Sequence, residues 1–228
     1  MKIKVCGVPA DTAERDIDLL ARTGIDAVGL WHGVPGTRAE LSLAELVRFA
    51  GVAHAGDVEP VIVTFASDAA ALARAVHESG AKWVQLHAYQ LPKAVQQLKA
   101  SVRRPDVRIV KVLHVRGRHC LDLRLVGAYE RAGVDAFLLD VAARDGRVGS
   151  TGESISPDVA ASVIEQLSRP FYLAGGLSAA GSECYEALRC DPGFAGIDVS
   201  TAARDAMGRL RAERIEAIEG AWRGVRVH

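Results

Sequence analysis

Hydrophobic, β-branched runs recur along the whole chain, and helix-like stretches separate them. Several of these runs are almost continuously apolar, which is typical of strands buried on both faces of a parallel sheet. The regular alternation predicts a series of β-strand and α-helix units rather than an all-β or all-α fold. The eight predicted strands are 3–6, 26–30, 59–65, 83–87, 107–113, 135–140, 170–175 and 195–200.

The stretches between the strands carry apolar residues at helical spacing. In the first of them, Ile17, Leu20 and Ala21 lie on one face of the predicted helix, and Gly24 is a typical stop residue. Ser156-Pro157 is a favourable cap and first turn for a later helix. The predicted helices are 11–24, 42–56, 68–80, 91–102, 120–133, 156–167, 179–190 and 209–222.

Eight consecutive units in 228 residues fit an α/β fold of the (β/α)8 TIM barrel type. An open doubly wound sheet is the alternative, and it requires a glycine-rich dinucleotide loop after its first strand. The first strand here is followed by CGVPAD (6–11), which holds one glycine. No linker-like segment divides the chain. We therefore expect one (β/α)8 barrel domain over residues 1–228.

The charge balance argues against a nucleic-acid or membrane-surface partner. Lys plus Arg and Asp plus Glu each number 28, so the formal net charge is zero and no basic field attracts a polyanion. The cysteines, Cys6, Cys120, Cys184 and Cys190, form no C-x-x-C pair, and a chain of this size needs no disulfide staples. With no signal-peptide pattern and no apolar run of membrane-spanning length, we expect a cytoplasmic protein with reduced thiols.

Four predicted strands end at, or next to, reactive or titratable side chains, namely Cys6, His87, Asp140 and Asp198. The active site of a (β/α)8 barrel lies at this end of the strands, where a thiol and a carboxylate can act as base and acid. Structural alternatives are a core cysteine, a hydrogen-bonded histidine, and an aspartate that braces the last turn. Asp140 is harder to explain in this way, because burying an unpaired carboxylate is costly.

Three turns rich in glycine or hydroxyl groups follow the last three strands. Glycines let backbone N–H groups approach an anion closely, and Ser200 and Thr201 add hydroxyl donors at the expected start of a short extra helix. Ligand-free tight turns are the alternative, but phosphate is commonly bound in this corner of a barrel. The predicted phosphate-binding residues are Gly149, Ser150, Thr151, Gly152, Gly175, Gly176, Ser200 and Thr201.

Six short motifs follow one another along the chain in a fixed order. They are KVCGV (4–8), VQLH (84–87), FLLD (137–140), GSTG (149–152), LAGGL (173–177) and GIDVST (196–201). This ordered set resembles the phosphoribosylanthranilate isomerase family of tryptophan biosynthesis, and the resemblance runs from residue 2 to about residue 220.

The resemblance implies an Amadori rearrangement of N-(5′-phosphoribosyl)anthranilate to 1-(2-carboxyphenylamino)-1-deoxyribulose 5-phosphate. Asp140 would be the general acid that protonates the furanose ring oxygen, and Cys6, as a thiolate, the base that removes the C2′ proton. We expect the Cys6 pKa to be lowered by the phosphate-binding dipoles. Arg38 would hold the anthranilate carboxylate, with His87 and Asp198 also binding substrate. No metal or organic cofactor is implied, and the partner is a small phosphosugar bound by a monomer or homodimer.

Several positions depart from the usual pattern of that family. GSTG (149–152) replaces Gly-Gly-Thr-Gly, Gly36-Thr37-Arg38 replaces Ser-Pro-Arg, and STAAR (200–204) replaces Ser-Ser-Gly-Val-Glu. These departures predict a divergent member. One alternative is an isomerase of the same mechanism that acts on a related phosphosugar amine in specialised metabolism. Another is a catalytically silent phosphate-binding barrel, which would have no reason to keep both Cys6 and Asp140.

Overall fold

The computed structural model describes residues 1–142 and 154–224. Within them, eight parallel strands each pair with the next along the chain, and the pairing of the first strand with the last closes the barrel. The predicted (β/α)8 barrel is confirmed. The strands are β1 (Lys2–Cys6), β2 (Ala27–Trp31), β3 (Glu59–Thr64), β4 (Trp83–Leu86), β5 (Arg108–Arg116), β6 (Ala136–Val141), β7 (Phe171–Leu173) and β8 (Phe194–Val199).

Helices follow the strands and cover the outside of the barrel. Local sequence sets some of their ends: Ser42 and Glu45 form a reciprocal capping box, and Gly80 ends a helix in the left-handed conformation. The helices are α1 (Ala13–Arg22), α2 (Leu43–Ala55), α3 (Ala69–Ser79), α4 (Pro92–Val102), α5 (Val126–Ala132), α6 (Pro157–Ile164), α7 (Glu186–Arg189) and α8 (Ala212–Arg223). None of the helices in the described ranges combines the length and apolarity needed to cross a membrane.

Two predicted helices differ from the observed ones. The helix expected to begin at Cys120 begins at Val126, because β5 continues to Arg116 and turns back into a short antiparallel strand, His119–Cys120. The helix expected over 179–190 is reduced to α7, which follows a single 3₁₀ turn, Ser182–Tyr185. The first helix is displaced by strand pairing, which a helical pattern does not record. The second is preceded by Gly181, whose left-handed conformation is not helical.

Alternation along β1 sends its side chains in two directions. Ile3 and Val5 belong to the main core under the helices, whereas Cys6 packs with residues inside the barrel. Lys2 and Lys4 lie four and two residues before Cys6 along the strand, so their side chains also face the interior. The inner face of β1 thus presents two ammonium groups below a thiol.

Candidate functional site

A cavity of about 210 Å³ lies at the C-terminal ends of the strands. Its lining joins residues from strands that are far apart in sequence. The predicted site residues that it brings together are Cys6, His87, Asp140, Gly175, Gly176, Asp198, Ser200 and Thr201, and Trp31 lines it as well. The barrel topology therefore assembles most of the residues that the strand-end argument selected.

The Cys6 sulfur lies between two nitrogen donors. The indole Nε1 of Trp31 donates to Sγ at 3.1 Å, and Nζ of Lys4 does so at 3.5 Å. Lys4 also forms a buried ion pair with Asp198, at 2.7 Å between Nζ and Oδ2. Gly29 on the neighbouring strand leaves room for the sulfur, because a Cβ there would lie 2.4 Å from Sγ. Trp31 ends β2, as the sequence predicts, but the sequence assigned it no role. Lys4 and Gly29 lie inside strands, so the search of strand ends did not select them.

The expectation of a lowered Cys6 pKa is wrong for the protein without substrate. Burial and, to a lesser extent, the carboxylate of Asp198 raise the pKa of the thiol, to about 11 in all. Lys4 and the Trp31 N–H act in the opposite direction without overcoming burial. Burial also opposes the charge on Lys4, but the ion pair with Asp198 keeps the Lys4 pKa above its ordinary value. The resting site therefore holds a neutral thiol above a charged lysine.

Asp140 and His87 face each other across the same cavity. Nε2 of His87 lies 3.3 Å from Oδ2 of Asp140, without the alignment of a hydrogen bond. The amide of Gln85 donates to Nδ1 of His87 at 2.9 Å, so the neutral ring carries its proton on Nε2, toward the carboxylate. Oδ1 of Asp140 accepts from the N–H of Val141 at 2.8 Å. Oδ2 is the carboxyl oxygen that remains for a substrate.

His114, on β5, supports His87 from behind. It is fully buried, and its ring contacts an oxygen acceptor at each nitrogen: the His87 carbonyl at 2.9 Å and Asp122 at 3.0 Å. The two contacts together hold the His114 ring in one orientation. Burial opposes the charge on Asp122, but the hydrogen bonds from His114 keep the pKa of Asp122 below its ordinary value. In the sequence, His114 directly follows the predicted strand 107–113, and this position at a strand end is the signal that could have found it.

The described part of the predicted phosphate site lies on one side of the cavity. Gly175 and Gly176 both have positive φ, +81° and +63°. A Cβ on Gly175 would lie 2.6 Å from Val141 Cγ2, so the turn excludes a larger residue. Ser200 and Thr201 lead into a single 3₁₀ turn rather than an α-helix. The other predicted phosphate-binding residues, Gly149, Ser150, Thr151 and Gly152, lie outside the described residues.

Arg38 is not brought together with the other predicted residues. Its guanidinium is largely exposed and pairs with Asp11, at 2.7 Å between Nη2 and Oδ2. It lines a separate surface depression that Arg15 and Arg209 also line. The loop after β2 carries Arg38 outward toward the loop after β1, where a carboxylate is available to pair with it.

The closed barrel and the thiol, imidazole and carboxylate groups at its mouth define the class of the protein, a (β/α)8-barrel enzyme. Residues 43–218 match the family model described as "N-(5'phosphoribosyl)anthranilate (PRA) isomerase". The chain belongs to this family, and it is an isomerase of the aldose–ketose type. The resemblance of the six ordered motifs is thereby confirmed.

Relatives match over nearly the whole chain. The N-(5'-phosphoribosyl)anthranilate isomerase 2 of Methanosarcina mazei is 31% identical over 91% of this chain and 88% of its own. The N-(5'-phosphoribosyl)anthranilate isomerase of Paramagnetospirillum magneticum is also 31% identical, over 99% of both chains. The solved phosphoribosyl anthranilate isomerase of Thermococcus kodakaraensis superposes with a TM-score of 0.72 at 25% identity, covering 98% of this chain and 99% of that one. This level of identity fits a divergent member.

Proposed function

We propose that Asp140 and Cys6 serve as acid and base in the aldose–ketose isomerisation that family membership assigns to this chain. The substrate is N-(5′-phosphoribosyl)anthranilate and the product is 1-(2-carboxyphenylamino)-1-deoxyribulose 5-phosphate. The observation that carries the proposal is the convergence of Cys6 and Asp140 on one cavity, together with His87. Two proton transfers at different substrate atoms require two such groups.

Ring opening is the step assigned to Asp140. The carboxyl gives its proton to the furanose ring oxygen as the C1′–O bond breaks, and the bonding pair stays on that oxygen. The lone pair of the anthranilate nitrogen forms the C1′=N bond, which leaves a cationic Schiff base. The carboxylate that remains then faces Nε2 of His87, 3.3 Å away, whose N–H stabilises the new negative charge.

Proton abstraction is the step assigned to Cys6. The Cys6 thiol first releases its proton to solvent. The thiolate then takes the proton from C2′, the C–H pair forms the C1′=C2′ bond, and the electrons of the C1′=N bond neutralise the nitrogen. The resulting enolamine tautomerises to the ketone. Because Asp140 gives one proton and Cys6 takes one, the substrate neither gains nor loses protons. The cation formed by ring opening makes the C2′ proton acidic enough for this transfer.

The phosphate group of the substrate is assigned to the turns at 175–176 and 200–201. The positive φ angles of both glycines and the position of both hydroxyl residues along the cavity support this assignment. Ser200→Asp should raise the KM strongly by placing a carboxylate beside the phosphate. Ser67→Asp adds the same charge to an exposed loop after β3 and is the matched control. An unchanged KM in Ser200→Asp would remove the site.

Binding of the anthranilate carboxylate by Arg38 remains a prediction, since a guanidinium can bind that group through two hydrogen bonds. The arginine must first leave Asp11. Arg38→Ala should raise the KM, whereas Arg15→Ala, in the same surface depression, should not. If Arg38→Ala turns the substrate over as well as the parent does, the carboxylate is recognised elsewhere.

The activity is tested by following the loss of anthranilate-type fluorescence with freshly prepared N-(5′-phosphoribosyl)anthranilate. A rapid loss with this substrate supports the assigned reaction. Slow turnover that a related phosphosugar amine inhibits competitively points to a different aglycone, and no turnover points to a silent barrel. We also propose that the protein is cytoplasmic and that it is a monomer or a homodimer. Free cysteines support the compartment.

A further inference from the structure

Two N–H donors from different strands converge on the Cys6 sulfur. Lys4, two residues earlier on β1, extends its ammonium group to 3.5 Å from Sγ. Trp31, the last residue of β2, directs its indole N–H at the same atom from 3.1 Å. A neutral thiol is a weak acceptor, whereas a thiolate is a strong one. Two donors on one sulfur therefore form an arrangement that suits the ionised form.

Packing holds the sulfur in this position. Cys6 is buried, and the space its sulfur occupies exists because Gly29 has no side chain. Gly7, which follows Cys6, also packs beside the indole, since a Cβ there would lie 3.6 Å from Trp31 Cε2. The indole is thus fixed between its own strand and the start of the loop after β1.

The charges around the sulfur come from several elements. Those that face it or share its cavity are Lys4 on β1, Asp198 on β8, Arg204 after β8, His87 after β4 and Asp140 on β6. Asp198 opposes a negative sulfur, but it is already paired with Lys4 at 2.7 Å. Arg204 donates to the carbonyls of Cys6 and Gly7 rather than to the sulfur. Lys4 and Trp31 are therefore the groups, among the described residues, that contact the sulfur with N–H donors.

We propose that Lys4 and Trp31 are positioning residues that fix the Cys6 sulfur and stabilise its thiolate during proton abstraction, an inference that rests on the proposed role of Cys6 as the base. Without them, the buried sulfur would ionise in a site whose nearest carboxylate repels it. Their effect is expected on turnover rather than on substrate affinity, because neither atom that contacts the sulfur is assigned to hold the substrate.

Alkylation of Cys6 by iodoacetamide tests the proposal independently of activity, since the thiolate is the reactive species. The rate at Cys6 is followed by peptide mapping between pH 7.5 and 10, because Cys184 and Cys190 are exposed and also react. The variants are Trp31→Phe, which keeps a ring but loses the N–H, and Lys4→Met. Matched controls are Trp83→Phe and Lys2→Met, which alter the lower interior of the barrel without contacting the sulfur.

Each of the two test variants should be alkylated at Cys6 about tenfold more slowly than the parent at pH 9, as expected for loss of one donor to a thiolate. The kcat should fall by a similar factor with the KM within about twofold, and both controls should match the parent. The smaller Phe side chain opens access to the sulfur, so slower alkylation cannot come from blocked entry. If Lys4→Met does not fold, because Asp198 is left unpaired, Trp31→Phe decides the question.

Alkylation rates within twofold of the parent in a folded Trp31→Phe protein overturn the proposal, whatever happens to activity. Slower alkylation with unchanged kcat has a different meaning: the donors do stabilise the thiolate, but Cys6 is not the base. The alkylation rate thus tests the role of Lys4 and Trp31, and the kcat tests the catalytic role of Cys6, so the two failures can be distinguished.

Discussion

Cys6 occupies a position where burial and hydrogen bonding act in opposite directions on one atom. Burial and, to a lesser extent, the carboxylate of Asp198 raise its pKa to about 11, while Lys4 and Trp31 favour the ionised sulfur. A base of high pKa is scarce as thiolate at neutral pH but strong once formed. The substrate cation produced by ring opening supplies a further positive charge at the moment the base is needed. The chemistry of this residue therefore depends on its neighbours more than on its identity.

Gly29→Ala tests whether the sulfur position matters. The added Cβ would lie 2.4 Å from Cys6 Sγ and 3.2 Å from Val63 Cγ2, so the sulfur must move. We expect kcat to fall at least about tenfold, because general-base efficiency depends on geometry. Gly51→Ala, in α2 with nothing within 4 Å, is the control and should keep full activity. Parent-like turnover in Gly29→Ala would show that the sulfur position is not critical.

At the level of strands and helices, the barrel depends on close contact between β8 and β1. Gly196 is paired with Lys2 across this seam, next to an irregularity in the pairing of β7 with β8. A Cβ on Gly196 would lie 1.9 Å from the Lys2 carbonyl oxygen, which is backbone and cannot rotate away. The seam that closes the barrel thus requires glycine.

Gly196→Ala should therefore lower the free energy of unfolding by roughly 3 kcal/mol or more, at the upper end of overpacking effects. Gly220→Ala, in α8 with open space around it, should stabilise by about 0.5–1 kcal/mol. Urea unfolding followed by circular dichroism measures both. A loss of under about 1 kcal/mol in Gly196→Ala would mean that the two strands separate easily.

The order of strands and helices could be predicted from the sequence, because the alternation of apolar runs is a local signal. The helix ends at Ser42 and Gly80 could be predicted for the same reason. The start of α5 could not, since a β-hairpin extension at His119–Cys120 depends on pairing with β5. Strand-end residues were found because topology alone brings them together. The position of Arg38 depends on the conformation of a loop, and the contact of Trp31 with Cys6 depends on the direction of a side chain. Neither can be derived from a sequence pattern.

For the molecule as a whole, buried ionisable groups link stability to pH. Lys111 is fully buried on the outer side of β5, where Nζ donates to the carbonyls of Ala88 at 2.8 Å and Val112 at 2.6 Å. Burial lowers its pKa to about 8 from 10.5. Between these values the unfolded chain binds the proton and the native protein does not. The contribution of Lys111 to stability therefore rises with pH across this window.

Lys111→Met removes this dependence. The free energy of unfolding of the variant should exceed that of the parent by the largest amount near pH 7. This difference should shrink by roughly 2–3 kcal/mol by pH 10. Lys93→Met, at an exposed position on α4, is the matched control. Urea unfolding at pH 7, 8, 9 and 10 gives the comparison. A difference between Lys111→Met and the parent that stays constant over this range would contradict the effect.

If one thiol and one carboxyl at the barrel mouth perform the isomerisation, Cys6→Ala and Asp140→Asn should each lose turnover of freshly prepared N-(5′-phosphoribosyl)anthranilate. Cys190→Ala and Asp158→Asn, at exposed positions, are the controls. With native circular dichroism in all four, we expect each of the first two to lower kcat at least about 100-fold and the controls to match the parent. A kcat within a few-fold of the parent in either Cys6→Ala or Asp140→Asn would contradict the assignment.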